Sequence, residues 1–150
     1  MDTKLDRLSD EQYTPAWIFE KMGVQFDLDV SAPKGGIAWI PAKSYFTKED
    51  DGLKQEWSGN VWMNPPFSKV TPWVEKFIEN RQGICLLVVS RSYWFQKLWE
   101  SADGILNTVP NLKFERPMDM KPNSISFQTF MFAYGKENVE ALNKLGGRVR

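Results

Sequence analysis

The chain contains no histidine and a single cysteine, Cys85. Without an imidazole there is no histidine general acid–base catalysis and no Ser-His-Asp arrangement. The two scarcities together leave no ligand set for zinc, which cysteine and histidine usually hold, and no metal is expected. One cysteine precludes an intrachain disulfide, in keeping with a reducing compartment. Cys85 lies within the apolar run Ile84–Val89, where a thiol packs as a small inert hydrophobe. No apolar run approaches the ~18 residues of a membrane-spanning helix. The polar, mixed-charge N-terminus has no signal-peptide pattern, so cytoplasmic placement is expected. Charge of either sign is not in excess either: 19 Lys and Arg balance 19 Asp and Glu. That balance is not the footprint of a strong non-specific nucleic-acid binder, and it leaves only a local basic face for such a role.

What the chain does contain is core material. Its 150 residues are 42% hydrophobic, with seven Trp and ten Phe, enough for one domain with a real core. A polar, loose N-terminal segment is expected over residues 1–12. Thr14 and Pro15 then read as a helix cap and first helical residue, with Gly23 as the stop. Phe26–Val30 reads as a strand, and within residues 36–46 Ile37, Trp39 and Ile40 read as either a short strand or part of a loop folded over a site. Asp51-Gly52 is a turn signal. Thr71 reads as the cap and Pro72 as the start of a helix whose buried stripe is Trp73, Val74, Phe77 and Ile78. Ile84–Val89 is a continuous apolar run, the pattern of a central parallel strand, and a helix over Tyr93–Glu100 follows. Strands are expected at Ile105–Val109, Leu112–Arg116 and Ile125–Tyr134, then a helix over Lys136–Leu145 and a flexible basic tail over 146–150. Strands alternating with helices predict one α/β domain in three layers, residues 13–145, with a mostly parallel sheet and an antiparallel edge.

The chain turns on Val61-Trp62-Met63-Asn64-Pro65-Pro66-Phe67. The apolar triplet reads as a short buried strand that stops at Asn64. Two prolines then remove two backbone donors and fix φ, which makes a rigid corner at a strand's carboxyl end. In open α/β sheets that is where ligands sit. Asn64 offers a side-chain carbonyl acceptor, the proline carbonyls accept without a competing N–H, and Phe67 adds an aromatic face. Two acceptors converging beside a stacking ring suit a planar heterocycle with an exocyclic amine. Accepting hydrogen bonds from such an amine favours the pyramidal form whose lone pair can attack.

Asn64-Pro65-Pro66-Phe67 resembles the tetrad of the S-adenosylmethionine-dependent amino-methyltransferases. Thr14-Pro15, Phe26-Asp27-Leu28-Asp29-Val30-Ser31-Ala32, Asp51-Gly52-Leu53 with Trp57, the tetrad, and Leu86–Phe95 follow in the order of the phage-type DNA adenine-N6 methyltransferases (Dam-like). The resemblance runs from about Tyr13 to Gly135. It implies a Rossmann-like methyltransferase domain, S-adenosylmethionine as cofactor, duplex DNA with a flipped adenine as partner, and a phage or prophage origin with action in the bacterial host cytoplasm. It also implies roles. Thr14, Pro15, Asp29, Asp51 and Asn64 would line the cofactor, with Asp29 on its ammonium and Asp51 on its adenine amine. Asn64 and the Pro65 carbonyl would hold the target amine, beside Pro66 and a stacking Phe67. Lys69, Arg91 and Lys97 are the candidate backbone contacts. The chain departs from the wider methyltransferase pattern after Asp29. No glycine-rich loop follows there, only Ser31-Ala32-Pro33 and then Lys34-Gly35-Gly36. Three readings therefore stand beside one another: the DNA enzyme, a methyltransferase of RNA or of a protein glutamine amide, and an inactive fold that only binds DNA or a protein. The recognised site and the oligomeric state stay open.

Overall fold

The computed structural model describes residues 13–108, 113–114, 123–124 and 128–149. Seven strands organise them: β1 (Phe26–Asp29), β2 (Ala42–Tyr45), β3 (Val61–Met63), β4 (Gly83–Val88), β5 (Gly104–Asn107), β8 (Thr129–Tyr134) and β9 (Arg148–Val149). They form one sheet in the order β2-β1-β3-β4-β8-β5-β9. The short pair β6 (Lys113–Phe114) and β7 (Asn123–Ser124) forms a separate ribbon. The first four strands of the order run parallel, and all pairings beyond β4 are antiparallel. The expected mixed sheet is present, with its antiparallel pairings gathered on one side.

Alternation along each strand sorts the core into two clusters. Trp62, Ile84, Leu86, Met131 and Ala133 face one way, where helices α1 (Ala16–Met22) and α4 (Lys136–Lys144) cover them. Val61, Met63, Cys85, Leu87, Phe132 and Tyr134 face the other, under α2 (Thr71–Asn80) and α3 (Tyr93–Ser101). Buried on both faces, β3 and β4 must be apolar at every position, which is why their sequences run without polar interruption. Trp62 is fully buried and takes the edge of Phe19 at 4.8 Å between centroids. Cys85 is buried and free, and burial pushes its thiol up, as an inert core residue requires.

The start of β3 is pinned by polar contacts. The Asn60 backbone N–H donates to Asp27 Oδ2 at 2.7 Å and holds that carboxyl below its usual range. The side chains of Asn60 and Asn138 exchange amide hydrogen bonds at 2.6 and 3.2 Å, which ties the strand's entry to α4. What leaves β3 at its other end is therefore aimed by a fixed strand.

Four sequence expectations are corrected. Pro15 does not start α1; its ψ of 151° is extended, so it occupies the cap position, and the Thr14 side chain caps nothing. Thr71 is the first helical residue of α2 and not its cap. The 3-10 turn Phe67–Lys69 runs directly into α2, leaving Val70 already in the αR region and no extended residue to act as cap. Part of the expected flexible tail, Arg148–Val149, pairs with Gly104–Ile105 as β9 and extends the sheet. Finally, residues 36–46 are loop only up to Pro41, after which Ala42–Tyr45 forms the edge strand β2. Gly23, by contrast, ends α1 as expected, in the left-handed conformation at φ 65°. The N-terminal segment 1–12, most of the expected Leu112–Arg116 strand and the first residues of the expected Ile125–Tyr134 strand lie outside the described residues.

Candidate active site

Asp29 ends β1 and Asn64 follows β3, and these two strands are parallel neighbours with Asp29 opposite Trp62. Their carboxyl ends therefore open at the same sheet edge. There the chain from Thr14 arrives as well: Asn64 Nδ2 donates to Thr14 Oγ1 at 3.3 Å, across fifty residues of sequence. Thr14 is fully buried and is itself tethered, because Trp39 Nε1 donates to its carbonyl at 2.8 Å. The loop after β1 thus reaches back over the site through Trp39, which is the loop alternative of the two readings open for Ile37, Trp39 and Ile40. The bond to Thr14 sets the Asn64 amide with its Nδ2 edge toward Thr14, which turns the Oδ1 edge the other way.

Asp29 is 3% exposed, although it is a carboxylate. It accepts the Ser31 backbone N–H at 3.2 Å and forms no salt bridge among the described residues. Burial pushes its pKa up to about 7, against the smaller opposing effect of that one hydrogen bond. A buried acid without a cation at a strand's carboxyl end is costly to the fold alone. It suits a ligand that brings positive charge.

Asp51 is placed at the same edge by its neighbour. A side chain at Gly52 would come within 2.4 Å of the Val30 carbonyl, so only glycine lets this turn press against the residue after Asp29. Asp51 itself sits in the left-handed region at φ 57°, and its ion pair with Lys54 is exposed and weak. The turn is stapled from the far side. Lys76 on α2 donates Nζ to the carbonyls of Leu53, at 2.9 Å, and Gln55, and lies over the Trp57 ring at 5.3 Å. Trp57 stacks on Trp73 and donates to Gly52 O at 2.8 Å. A lysine on a helix reads in sequence as solvated surface, so nothing there announced this one. Lys76→Met is expected to destabilise the chain by about 1–3 kcal/mol, because two carbonyls lose their donor. Urea denaturation measures it, and Lys76→Arg should recover part of the loss.

Past Asn64 the corner runs as expected. Pro65 is buried, and Pro66 leads into the turn Phe67–Lys69, where Lys69 N–H donates to Pro66 O at 3.3 Å. Between this turn and the end of β4 lies a cavity of about 380 Å³, lined by Phe67, Lys69, Val89, Ser90, Ser92 and Trp94 among others. Its volume is in the range of small-ligand pockets, roughly 300–1,000 Å³. Lys69 lines it, and Arg91, exposed, stands between two of its lining residues. Lys97 does not reach it; it is one turn along α3 with Nζ 5.8 Å from the Tyr93 ring centroid. The segments bounding the cavity, Trp57–Val74 and Asn80–Trp99, contain no Asp or Glu. Within a chain of zero net charge, the rim of this cavity thereby carries Lys69 and Arg91 with no carboxylate from either bounding segment. Among the described residues no helix is long and apolar enough to cross a membrane, and no cluster of acidic or thiol groups forms a metal site.

Comparison with known proteins gives the chain its family. A DNA N-6-adenine-methyltransferase of Haemophilus phage HP1 (strain HP1c1) is 31% identical over 104 residues, covering 62% of this chain and 58% of that protein. The chain thus matches little more than half the length of that relative. The family model described as DNA N-6-adenine-methyltransferase (Dam) matches residues 2–129, which include every residue of the site. On that match, the chain belongs to the DNA N-6-adenine-methyltransferase (Dam) family.

Proposed function

We propose that this chain transfers a methyl group from S-adenosylmethionine to the N6 amine of adenine in DNA, as a phage- or prophage-encoded enzyme. The observation that carries the reading is the meeting of Thr14, Asp29 and Asn64 at one sheet edge, next to the cavity that begins at Phe67. The site suits the cofactor on a specific ground: Asp29 is a buried carboxylate without a cationic partner among the described residues, and the cofactor's amino-acid end carries an ammonium. Bound there, S-adenosylmethionine supplies an electrophilic methyl group. Asp29 would pair with the ammonium, Thr14 and Pro15 would cover that end, and the Asp51–Leu53 turn would hold the adenine end.

The chain's own contribution is placement. Asn64 Oδ1 and the Pro65 carbonyl accept the two N–H bonds of the target amine and leave its lone pair directed at the cofactor side. Phe67 stacks on the base. Aligned pairs of this kind reach effective molarities of roughly 10⁵–10⁸ M, and attack turns the amine into an acidic arylammonium whose extra proton passes to solvent, so no strong base is needed. The adenine must leave the duplex to get there, because its amine is otherwise paired. Lys69 and Arg91 at the rim, with Lys97 further along α3, contact the phosphates.

Incubating the protein with labelled S-adenosylmethionine and duplex DNA, then digesting the DNA to nucleosides, tests this directly. Labelled N6-methyladenine is expected. Label absent from DNA but present in RNA or in a protein glutamine amide would overturn the DNA reading while keeping the chemistry. No cofactor binding by calorimetry would reduce the chain to a binding module.

A further inference from the structure

An adenine drawn out of a duplex leaves an empty place in the stack, and its former neighbours lose a stacking partner. Proteins that distort DNA offset this by inserting an apolar side chain between the bases. Such a wedge must be large, exposed, held on a rigid element and close to the mouth of the base cavity. The described residues include six large apolar side chains with substantial exposure: Trp17, Trp39, Tyr45, Val89, Tyr93 and Trp99. Five are accounted for otherwise. Trp17 belongs to α1, on the far face of the sheet. Trp39 is tied to the Thr14 carbonyl, and the ring of Tyr45 covers Gly36. Val89 has no ring and lines the cavity itself. Trp99 is stacked on Phe95 and set edge-on to Phe130.

Tyr93 is different on each count. It is 77% exposed, far more than any of the others. It is the first residue of α3, and its sequence neighbours Ser92 and Trp94 both line the cavity. Trp94 is buried, so the turn that carries Tyr93 is anchored in the core. The contact on its ring is Lys97 Nζ, an exposed and flexible cation that can move to a phosphate as the ring moves into a stack. Arg91 lies two residues before it, and no carboxylate occurs from Asn80 to Trp99 to repel DNA.

From this placement we infer that Tyr93 enters the place vacated by the target adenine, and so lowers the cost of extruding the base. The inference rests on the DNA reading above. Its consequence is a dependence on base pairing. Stacking on an aromatic is worth roughly a 5- to 150-fold effect per base, and only a paired adenine needs the gap filled.

The test uses the full chain and a duplex that the wild-type protein is found to methylate, alongside the same target strand left single. Tyr93→Ala is expected to lose roughly 5- to 150-fold in single-turnover methylation of the duplex, and to match the wild type on the single strand within about twofold. Tyr93→Trp should retain duplex activity. With 2-aminopurine at the target position, the fluorescence rise that reports extrusion should weaken in Tyr93→Ala and persist in Tyr93→Trp. Equal losses on paired and unpaired substrates, or no loss on either, would overturn the assignment. If the wild type labels no DNA of any form, the DNA reading itself fails, a result distinct from either of these.

Discussion

Asn64→Ala is expected to cut methyl transfer by about 10²–10³-fold or more, while S-adenosylmethionine still binds within a fewfold of wild type. The magnitude follows from removing one preorganised polar group at the reacting atom. The reason for the split lies in the site. Asn64 stands on a corner that two prolines make rigid, behind a strand whose entry is pinned by the Asn60–Asn138 amide pair. Loss of its side chain leaves that backbone in place, together with Asp29 and the Asp51 turn that would grip the cofactor. Its Nδ2 is bonded to Thr14, which keeps the amide from turning freely. Single-turnover rates beside calorimetric binding separate the two effects. Transfer at near wild-type rate by Asn64→Ala would sink the mechanism, and loss of cofactor binding of the same size would recast Asn64 as a cofactor contact.

Asp29→Asn should act in opposite directions on stability and on binding. In the folded chain the carboxyl titrates at about 7, against 3.8 for an unperturbed aspartate. A carboxyl with a raised folded pKa binds its proton more tightly when folded, so the stability it contributes is complete below 3.8. That contribution falls as pH rises from there and is gone above about 7. The gap corresponds to at most on the order of 4 kcal/mol lost by the ligand-free wild type at high pH. The amide of the variant has no proton to lose, so at pH 8 the variant should melt at a higher temperature than the wild type, and the difference should vanish near pH 4. Cofactor binding runs the other way. A cation at Asp29 favours the ionised form, so wild-type affinity should climb up to about tenfold per pH unit from about 5 to 7 and then level off. The variant should bind roughly 150- to 5,000-fold more weakly at pH 8, the cost of an unpaired ammonium near a buried site, with a flat pH profile. A variant that binds as tightly as wild type at pH 8 would show that Asp29 does not meet the cofactor's charge.

Several parts of the fold were legible because their signals are local. The corner at Asn64–Phe67 follows from Pro-Pro after an apolar triplet, the stop at Gly23 from the left-handed freedom of glycine, and β4 from an uninterrupted run buried on two faces. β2 was not legible, because an edge strand with Lys43, Ser44 and Tyr45 exposed has neither an apolar run nor a buried face to mark it. The misplaced caps have a related cause. Thr14 and Thr71 have the right chemistry for a cap, but capping depends on the backbone angles of the neighbouring residue, and those are set by Pro15 in one case and by the incoming 3-10 turn in the other. The sequence by itself determined the layered α/β order, the rigid corner, and the acid Asp29 and the amide Asn64 at strand ends, since each rests on a few adjacent side chains. Only the tertiary structure decided that Thr14 meets Asn64, that Lys76 staples the Asp51 turn, and that the two carboxylate-free segments carrying Lys69 and Arg91 line one cavity. Each of those depends on where strands and helices lie beside one another, and a pairing across fifty residues, or the meeting of two separate segments at one cavity, leaves no periodic trace along the chain.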